Sequence, residues 1–178
     1  MKSWCNAPYI LLNILAVHLQ TFMDIYSLLD ESTIIANLQA NDKEELINEL
    51  INLLENRVNG EKLEKIRQSV FERESIMSTG VGKELAIPHG KCDSIEENLA
   101  SFAILEEPVE FNSIDDKPVR MAFLLVGPPQ KNHAHIKLLS RISRLMNSTT
   151  FREKLLECST AEEIFETFQA EEKQYFGE

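Results

Sequence analysis

The chain has 178 residues, of which 43% are hydrophobic and 26% are charged, and its formal net charge is -11 at pH 7. This length and composition are typical of one soluble globular domain that buries a sizeable core. The negative charge argues against binding to nucleic acid or to an anionic membrane surface, and it favours a basic protein partner.

The three cysteines, Cys5, Cys92 and Cys158, lie far apart in the chain and form no Cys-x-x-Cys pair. Neither a disulfide framework nor a zinc site follows from this spacing, which suits a reducing compartment. We therefore expect a cytoplasmic protein.

Residues 1–22 form an N-terminal extension of uncertain status, and we expect the folded domain to cover residues 23–178. An apolar stretch at residues 8–17 follows Lys2 and gives the extension a superficial likeness to a signal peptide. The stretch is too short to span a bilayer, and no small-x-small cleavage pattern follows it, so no membrane insertion is expected. Three interpretations remain open: an extension foreign to the domain, for example from an upstream start, an additional packing helix, or an export signal.

The first predicted elements are a strand and a helix. β-Branched residues with partial alternation predict a strand over residues 32–40, although Asp30 offers a cap for a helix at the same place. Asn41, with an acid three residues further on, has the form of a capping box and predicts a helix to about residue 56. The polar residues of that helix, Lys43 among them, are expected on a solvated face.

Gly60 interrupts the apolar pattern, and a second helix is predicted over residues 61–74. Two mostly apolar runs, residues 98–105 and 119–126, lack clean alternation and are predicted to be buried central strands. A helix is predicted from Asn132, and a short helix and a final amphipathic helix follow it. The order of these elements predicts an α/β fold, in which helices flank a mixed β-sheet within a single domain.

The segment at residues 74–90 carries the strongest functional signal and reads Glu-Ser-Ile-Met-Ser-Thr-Gly-Val-Gly-Lys-Glu-Leu-Ala-Ile-Pro-His-Gly. Its apolar run at residues 85–87 predicts the end of a strand. Pro88 has no N–H to donate, so we expect strand pairing to stop at the next residue, His89. An imidazole on a rigid strand end beside a glycine is a candidate nucleophile or ligand.

Two nucleotide-binding motifs are excluded in this segment. A Walker A loop needs glycine at the position of Met77 and serine or threonine at that of Glu84. A dinucleotide fingerprint needs glycine at the position of Leu85. The segment therefore implies no nucleotide cofactor.

Residues 74–90 resemble the active-site signature of the fructose/mannitol-type (type-2) enzyme IIA domains of the bacterial phosphoenolpyruvate-dependent phosphotransferase system. The resemblance extends over about residues 23–169 and implies a mixed sheet flanked by helices. Lys83-Glu84 departs from it, because many relatives have a smaller residue there. Every fixed position of the signature is filled: Glu74, Val81, Gly82, Leu85, Ala86, Ile87, Pro88, His89 and Gly90.

The resemblance implies catalytic roles for three residues, His89, His135 and Arg73. In the family, the histidine matched by His89 accepts a phosphoryl group from the phosphohistidine of the small carrier HPr and passes it on. Arg73 would lie near that group, although a cation at a helix C-terminus is also favoured by the helix dipole alone. His135 matches the second active-site histidine of the family, at a helix N-terminus that suits an anion, whereas His133 does not fit the pattern. No metal or other cofactor is implied.

The downstream role stays open between two interpretations of the resemblance. In the first, the chain is a phosphotransferase component of sugar uptake and passes its phosphoryl group to an enzyme IIB. In the second, it is a regulatory module of the nitrogen-type IIA class, phosphorylated by HPr or its nitrogen-type paralogue, which binds a regulated target protein. A weaker alternative is a metal-dependent hydrolase that uses His133, His135 and His89, although side chains two apart on a helix diverge.

Overall fold

The computed structural model describes residues 24–177, so the predicted extension at residues 1–22 lies outside the described residues. No helix within this part of the chain is long and apolar enough to cross a membrane. Its strands are β1 (Ile34–Leu38), β2 (Gly80–Gly82), β3 (Leu85–Ala86), β4 (His89–Lys91), β5 (Leu99–Val109) and β6 (Val119–Gly127). Its α-helices are α1 (Lys43–Asn52), α2 (Gly60–Ile76), α3 (Asn132–Met146), α4 (Thr149–Glu157) and α5 (Ala161–Phe176). Short 3₁₀ turns occupy Tyr26–Leu28, Glu31–Thr33 and Pro129–Lys131.

The strands form one mixed sheet in the order β1-β5-β6-β3-β2, with β4 also paired to β6. β5 and β6 are antiparallel neighbours, and β1 runs parallel to β5. Both β3 and β4 run parallel to β6, while β2 and β3 form an antiparallel hairpin at the far edge. The predicted α/β fold, a mixed sheet flanked by helices in a single domain, is confirmed.

Helices cover both faces of the sheet, and the side chains of β6 alternate between two cores. Phe123 and Leu125 pack in one core with residues of α3, α4 and α5. Leu124 and Val126 pack in the other core with residues of α1 and α2. Because each face is covered, both kinds of position are apolar, which explains why the central strands show no hydrophobic alternation in the sequence.

The caps of the first elements differ slightly from their predicted places. Asp42, not Asn41, caps α1 by accepting a hydrogen bond from the backbone N–H of Glu45. The carboxylate of Glu45 accepts one from the backbone N–H of Asn41 in return. Asp30 is also a cap, but of the 3₁₀ turn Glu31–Thr33 that precedes β1. β1 is shorter than the strand predicted over residues 32–40, and α1 ends at Asn52, before the predicted residue 56.

The prediction that strand pairing stops at His89 is wrong. β3 and β4 pair with β6 in a single register, with Ala86 opposite Ala122 and His89 opposite Leu125. Between the two strands, the carbonyl of Pro88 accepts a hydrogen bond from the backbone N–H of Leu125 at 3.0 Å. The missing N–H of proline thus interrupts the ladder without shifting it, and pairing resumes with His89.

Candidate functional site

A cavity of about 450 Å³ lies beside His89, within the size range of ordinary ligand sites. The end of α2, the β2–β3 hairpin and α3 all contribute to its walls. Arg73 and His89 are the titratable residues of its lining, and much of the rest is apolar, including Met77, Val81, Ile114 and Leu139. The cavity therefore combines one cation and one imidazole with an apolar rim.

His89 opens β4 and presents a nucleophilic nitrogen. Its Nδ1 lies 2.8 Å from the carbonyl oxygen of Ile87. Since a carbonyl only accepts, Nδ1 carries the proton and donates it, which leaves the lone pair on Nε2. Burial lowers the pKa of His89, and the charges of Arg73 and Lys91 act in the same direction, against the raising effect of the Ile87 carbonyl. The ring is therefore neutral at pH 7, as a nucleophile must be.

Gly90, the small residue after His89, is required by the close approach of β4 to α2. A Cβ at this position would lie 2.8 Å from Ser69 Oγ and 3.1 Å from both the Ser69 carbonyl carbon and Val70 Cγ2. Ser69 and Val70 belong to α2, so the glycine lets the strand lie directly against the helix. The position of His89 depends on this contact.

Glu74, the acidic residue of the signature, ties the end of α2 to Thr79, the residue before β2. Its buried carboxylate accepts hydrogen bonds from the backbone N–H of Thr79 at 3.0 and 3.1 Å and from the Thr79 hydroxyl at 2.5 Å. It also forms an ion pair with Lys43, whose ammonium group lies 4.6 Å from the ring centre of Phe111. The prediction of a solvated face for Lys43 is wrong, because its partner lies on another helix and the local periodicity gives no sign of it.

Arg73 lies in the last turn of α2 and lines the cavity together with His89. Its Nη1 donates a hydrogen bond to the carbonyl of Met77 at 2.9 Å, which uses one of the five N–H groups of the guanidinium. The positive charge of Arg73 also contributes to the lowered pKa of His89. Arg73 is therefore both a cation at a helix C-terminus and a cation beside His89, and the two interpretations of this residue are compatible.

His135 lies in the first turn of α3 and is only 2% exposed. The centre of its ring is 6.4 Å from that of His89. Its Nδ1 lies 3.4 Å from Asn98 Oδ1, whereas Nε2 is buried and has no hydrogen-bond partner among the described residues. Burial lowers the pKa of His135 to about 4, and the charges of His89 and Lys91 act in the same direction. This ring is neutral at pH 7 as well.

The two histidines at the start of α3 are separated by their surroundings, since His133 is exposed and His135 is buried. Within residues 24–177, no group of three or more His, Cys, Asp or Glu side chains is arranged to hold a metal ion. The ligand set that a metal-dependent hydrolase would need from His133, His135 and His89 is thus not formed there, and that alternative has no support. The structure brings His89 and His135 together, joins Arg73 to His89 at the cavity, and leaves His133 apart.

Two residues beside His135, Asn98 and Gly127, belong to no motif, and sequence reasoning did not single them out. A Cβ at Gly127 would lie 2.2 Å from Asn98 Oδ1 and 2.7 Å from His135 Nδ1. A glycine that closes an otherwise bulky apolar strand often marks a close approach of another group. Gly127 was therefore the one local signal in the sequence that could have pointed to the contact of Asn98 with His135.

Known proteins with a similar sequence or fold define the class of the chain. It is 32% identical over 143 residues to a nitrogen regulatory protein of Bradyrhizobium diazoefficiens, a match that covers 80% of this chain and 93% of the relative. It is 29% identical over 151 residues to the PTS system fructose-specific EIIABC component of Bacillus subtilis, covering 85% of this chain but only 24% of that protein. The crystal structure of the nitrogen regulatory protein IIA-Ntr from Neisseria meningitidis superposes with a TM-score of 0.76 at 30% identity, covering 81% of this chain and 98% of that one. These similarities indicate an enzyme IIA component of a phosphotransferase system.

The family model described as "Phosphoenolpyruvate-dependent sugar phosphotransferase system, EIIA 2" matches residues 27–171, and the chain belongs to this family. It is a phosphotransferase component, a phosphohistidine carrier that acts in sugar uptake or in nitrogen regulation. Members of the family work with the other phosphoryl-carrying proteins of the system. The resemblance of residues 74–90 to the type-2 enzyme IIA domains is thereby confirmed.

Proposed function

We propose that His89 is the phosphoryl acceptor of this chain, that HPr or its nitrogen-type paralogue is the donor, and that Arg73 and His135 stabilise the transferred group. The observation that carries the proposal is the state of the His89 ring. The Ile87 carbonyl engages its Nδ1–H, so the lone pair on Nε2 belongs to a neutral imidazole beside an open cavity. Such a nitrogen is a competent nucleophile at pH 7.

The transfer step needs no added reactant. The lone pair on His89 Nε2 forms a new bond to phosphorus, while the N–P bond of the donor phosphohistidine breaks and its electron pair returns to the donor imidazole. His89 keeps the proton on Nδ1, and the positive charge that its ring gains is offset by the charges of the phosphoryl group. Such a transfer depends on in-line positioning and on charge stabilisation, so it requires neither a metal nor a nucleotide here.

Three features of the site support the stabilising roles. Arg73 offers a guanidinium, whose planar fork suits phosphoryl oxygens. His135 offers a buried Nε2 with no partner within residues 24–177, on a ring 6.4 Å from that of His89. No side chain caps the first turn of α3, so its backbone N–H groups are suited to an anion as well.

The surroundings of the cavity support a protein as donor and as acceptor. Large apolar side chains are exposed there: Met77 is 67% exposed, Val81 47% and Ile114 85%, and all three line the cavity. Ile136, the neighbour of His135, is 54% exposed. Clustered exposed apolar residues around a reactive group mark a docking surface for another protein. Because a phosphorylated donor protein must reach this surface, we place the chain in the cytoplasm.

Between the two downstream roles, we favour the regulatory one, in which the phosphorylation state alters binding to a target protein. The nitrogen regulatory protein of Bradyrhizobium diazoefficiens is matched over 93% of its length, whereas the match spans 24% of the fructose EIIABC component. A role in sugar uptake, with an enzyme IIB as acceptor, is the alternative. Mixing the phosphorylated chain with a purified fructose-type or mannitol-type IIB separates the two, since only the uptake role predicts rapid transfer.

The acceptor assignment is tested by incubation with enzyme I, HPr and labelled phosphoenolpyruvate. The wild type should form an acid-labile, base-stable adduct, and His89→Ala should form none. His135→Ala should take the label about a hundredfold more slowly, the usual effect of losing one hydrogen-bond donor to a developing charge. His133→Ala is the matched control and should behave as wild type. Label retained by His89→Ala would refute the assignment, and a slow His133→Ala beside a normal His135→Ala would exchange the roles of the two histidines.

A further inference from the structure

A neutral histidine ring carries its proton on one of two nitrogens, and the choice matters for His135. The pKa of this ring is lowered to about 4, chiefly by burial, so only one nitrogen is protonated at pH 7. Since Nδ1 faces Asn98, Nε2 is the nitrogen left to meet a phosphoryl oxygen on His89, and it must then carry the proton. A bare Nε2 would direct a lone pair at the oxygens and oppose the transfer.

The side chain of Asn98 faces the other nitrogen of the ring. Its Oδ1 lies 3.4 Å from Nδ1 of His135. Gly127, the last residue of β6, makes room for this contact, because a Cβ there would lie 2.2 Å from Asn98 Oδ1 and 2.7 Å from His135 Nδ1. A side chain at position 127 would therefore displace the amide and the imidazole together.

The segment that carries Asn98 is attached to the start of α3 by a second contact. Glu97, its neighbour, forms an ion pair with Lys131, the residue before α3. This ion pair touches neither nitrogen of His135. It therefore anchors the segment independently of the amide, and the two contributions can be separated by mutation.

We infer that Asn98 is a positioning residue that selects the protonated nitrogen of His135. An amide has an acceptor and a donor, and half a turn of the side chain exchanges their places. With Oδ1 toward Nδ1, as in this structure, the proton lies on Nδ1 and Nε2 is bare. With the amide turned, Nδ2–H donates to Nδ1, and the ring carries its proton on Nε2. The phosphorylated protein is expected to hold the turned amide, so the inference rests on the proposed role of His89.

Long-range ¹H–¹⁵N spectra of the full chain, with its histidines labelled with ¹⁵N, test this directly because they show which ring nitrogens are protonated. In the phosphorylated wild type, His135 should be protonated on Nε2 and bare on Nδ1. Asn98→Ala should lose this preference, and Asn98→Asp, whose carboxylate only accepts, should keep the proton on Nδ1. Both variants should accept the phosphoryl group about tenfold more slowly, the size expected for one hydrogen bond.

Glu97→Gln is the matched control, because it breaks the ion pair with Lys131 and leaves the amide of Asn98 in place. Its spectrum and its rate should be those of the wild type. An equal loss of rate in Glu97→Gln and Asn98→Ala would overturn the inference, because the position of the segment would then control His135. A phosphorylated wild type with Nδ1 protonated, alone or together with Nε2, would also overturn it, as would an unchanged spectrum in Asn98→Ala.

The failure of the proposed function would look different. If the wild type took no label, or if His89→Ala kept it, the acceptor assignment would fail. Spectra of the unphosphorylated protein would still test the role of Asn98. In the unphosphorylated wild type, His135 should be protonated on Nδ1, and in unphosphorylated Asn98→Ala this preference should be lost. A wild-type spectrum in unphosphorylated Asn98→Ala would count against the inference alone.

Discussion

Replacing Gly90 by alanine adds one methyl group where β4 lies closest to α2. The new Cβ would meet Ser69 Oγ at 2.8 Å and the Ser69 carbonyl carbon and Val70 Cγ2 at 3.1 Å. A hydroxyl can rotate away, but the carbonyl carbon belongs to the backbone of a helix and cannot move alone. The strand must therefore move away from the helix, and His89 moves with it.

Overpacking of this kind typically costs about 1–3 kcal/mol. For Gly90→Ala we expect about 2 kcal/mol, which corresponds to a fall in melting temperature of about 4–8 °C at this chain length. Because a misplacement of about 1 Å can slow a reaction about a hundredfold, the smaller shift expected of His89 should slow phosphoryl acceptance about tenfold. Thermal unfolding and the labelling rate measure the two effects on the same sample.

Gly60→Ala is the matched control, because nothing lies within 4 Å of a Cβ at that position. Gly60 begins α2, where alanine is the better helix former, so this variant should be as stable as the wild type or up to about 1 kcal/mol more stable. Adding Ser69→Ala to Gly90→Ala should recover only part of the loss, since the backbone contact remains. A Gly90→Ala protein with the melting temperature and the labelling rate of Gly60→Ala would refute the close contact of β4 with α2.

Three further predictions concern other parts of the chain. Glu84 has a φ of 61° at the tip of the β2–β3 hairpin, so Glu84→Gly should raise the free energy of unfolding by about 0.5–1 kcal/mol, and a lower melting temperature would contradict this. We propose that a chain starting at Met23 keeps the melting temperature and the labelling rate of the full chain, and a loss of several degrees would show instead that residues 10–17 pack into the core. The pKa of His135 falls from an ordinary 6.5 to about 4 on folding, so between these pH values the unfolded chain binds a proton that the folded one does not. The free energy of unfolding should therefore fall as the pH decreases through this window, and His135→Leu should lose that part of the slope, which urea unfolding at several pH values can check.

The elements that the sequence predicts well are those whose pattern reflects what covers them. β5 and β6 lack alternation because Leu124 and Val126 meet one layer of helices while Phe123 and Leu125 meet the other. The sequence of each strand alone shows that both faces of the sheet are covered, because both faces of a central strand in a covered sheet must be apolar. His89 could also be singled out from the sequence, because it belongs to the signature at residues 74–90. In the structure it lines the cavity.

The errors arise where a distant partner decides the outcome. Pro88 ends a ladder only if its missing N–H is needed there, and the register of β3 and β4 on β6 leaves its carbonyl as the group that pairs. Lys43 follows the periodicity of an exposed helical residue, yet it pairs with the buried Glu74 of α2. The contact of Asn98 with His135 joins two segments far apart in the sequence, and its one local signal, Gly127, lies on a third segment. Each of these outcomes depends on packing that local patterns do not encode.

We propose that Nε2 of His89 is the atom that forms the bond to phosphorus. The most direct measurement is heteronuclear NMR on the phosphorylated full chain, with ¹⁵N-labelled histidine and ³¹P detection, which identifies the ring and the nitrogen that carry the group. We expect a single phosphohistidine, at Nε2 of His89, with Nδ1 still protonated and bonded to the carbonyl of Ile87. A phosphoryl group on Nδ1 of His89, or on His135, would contradict it.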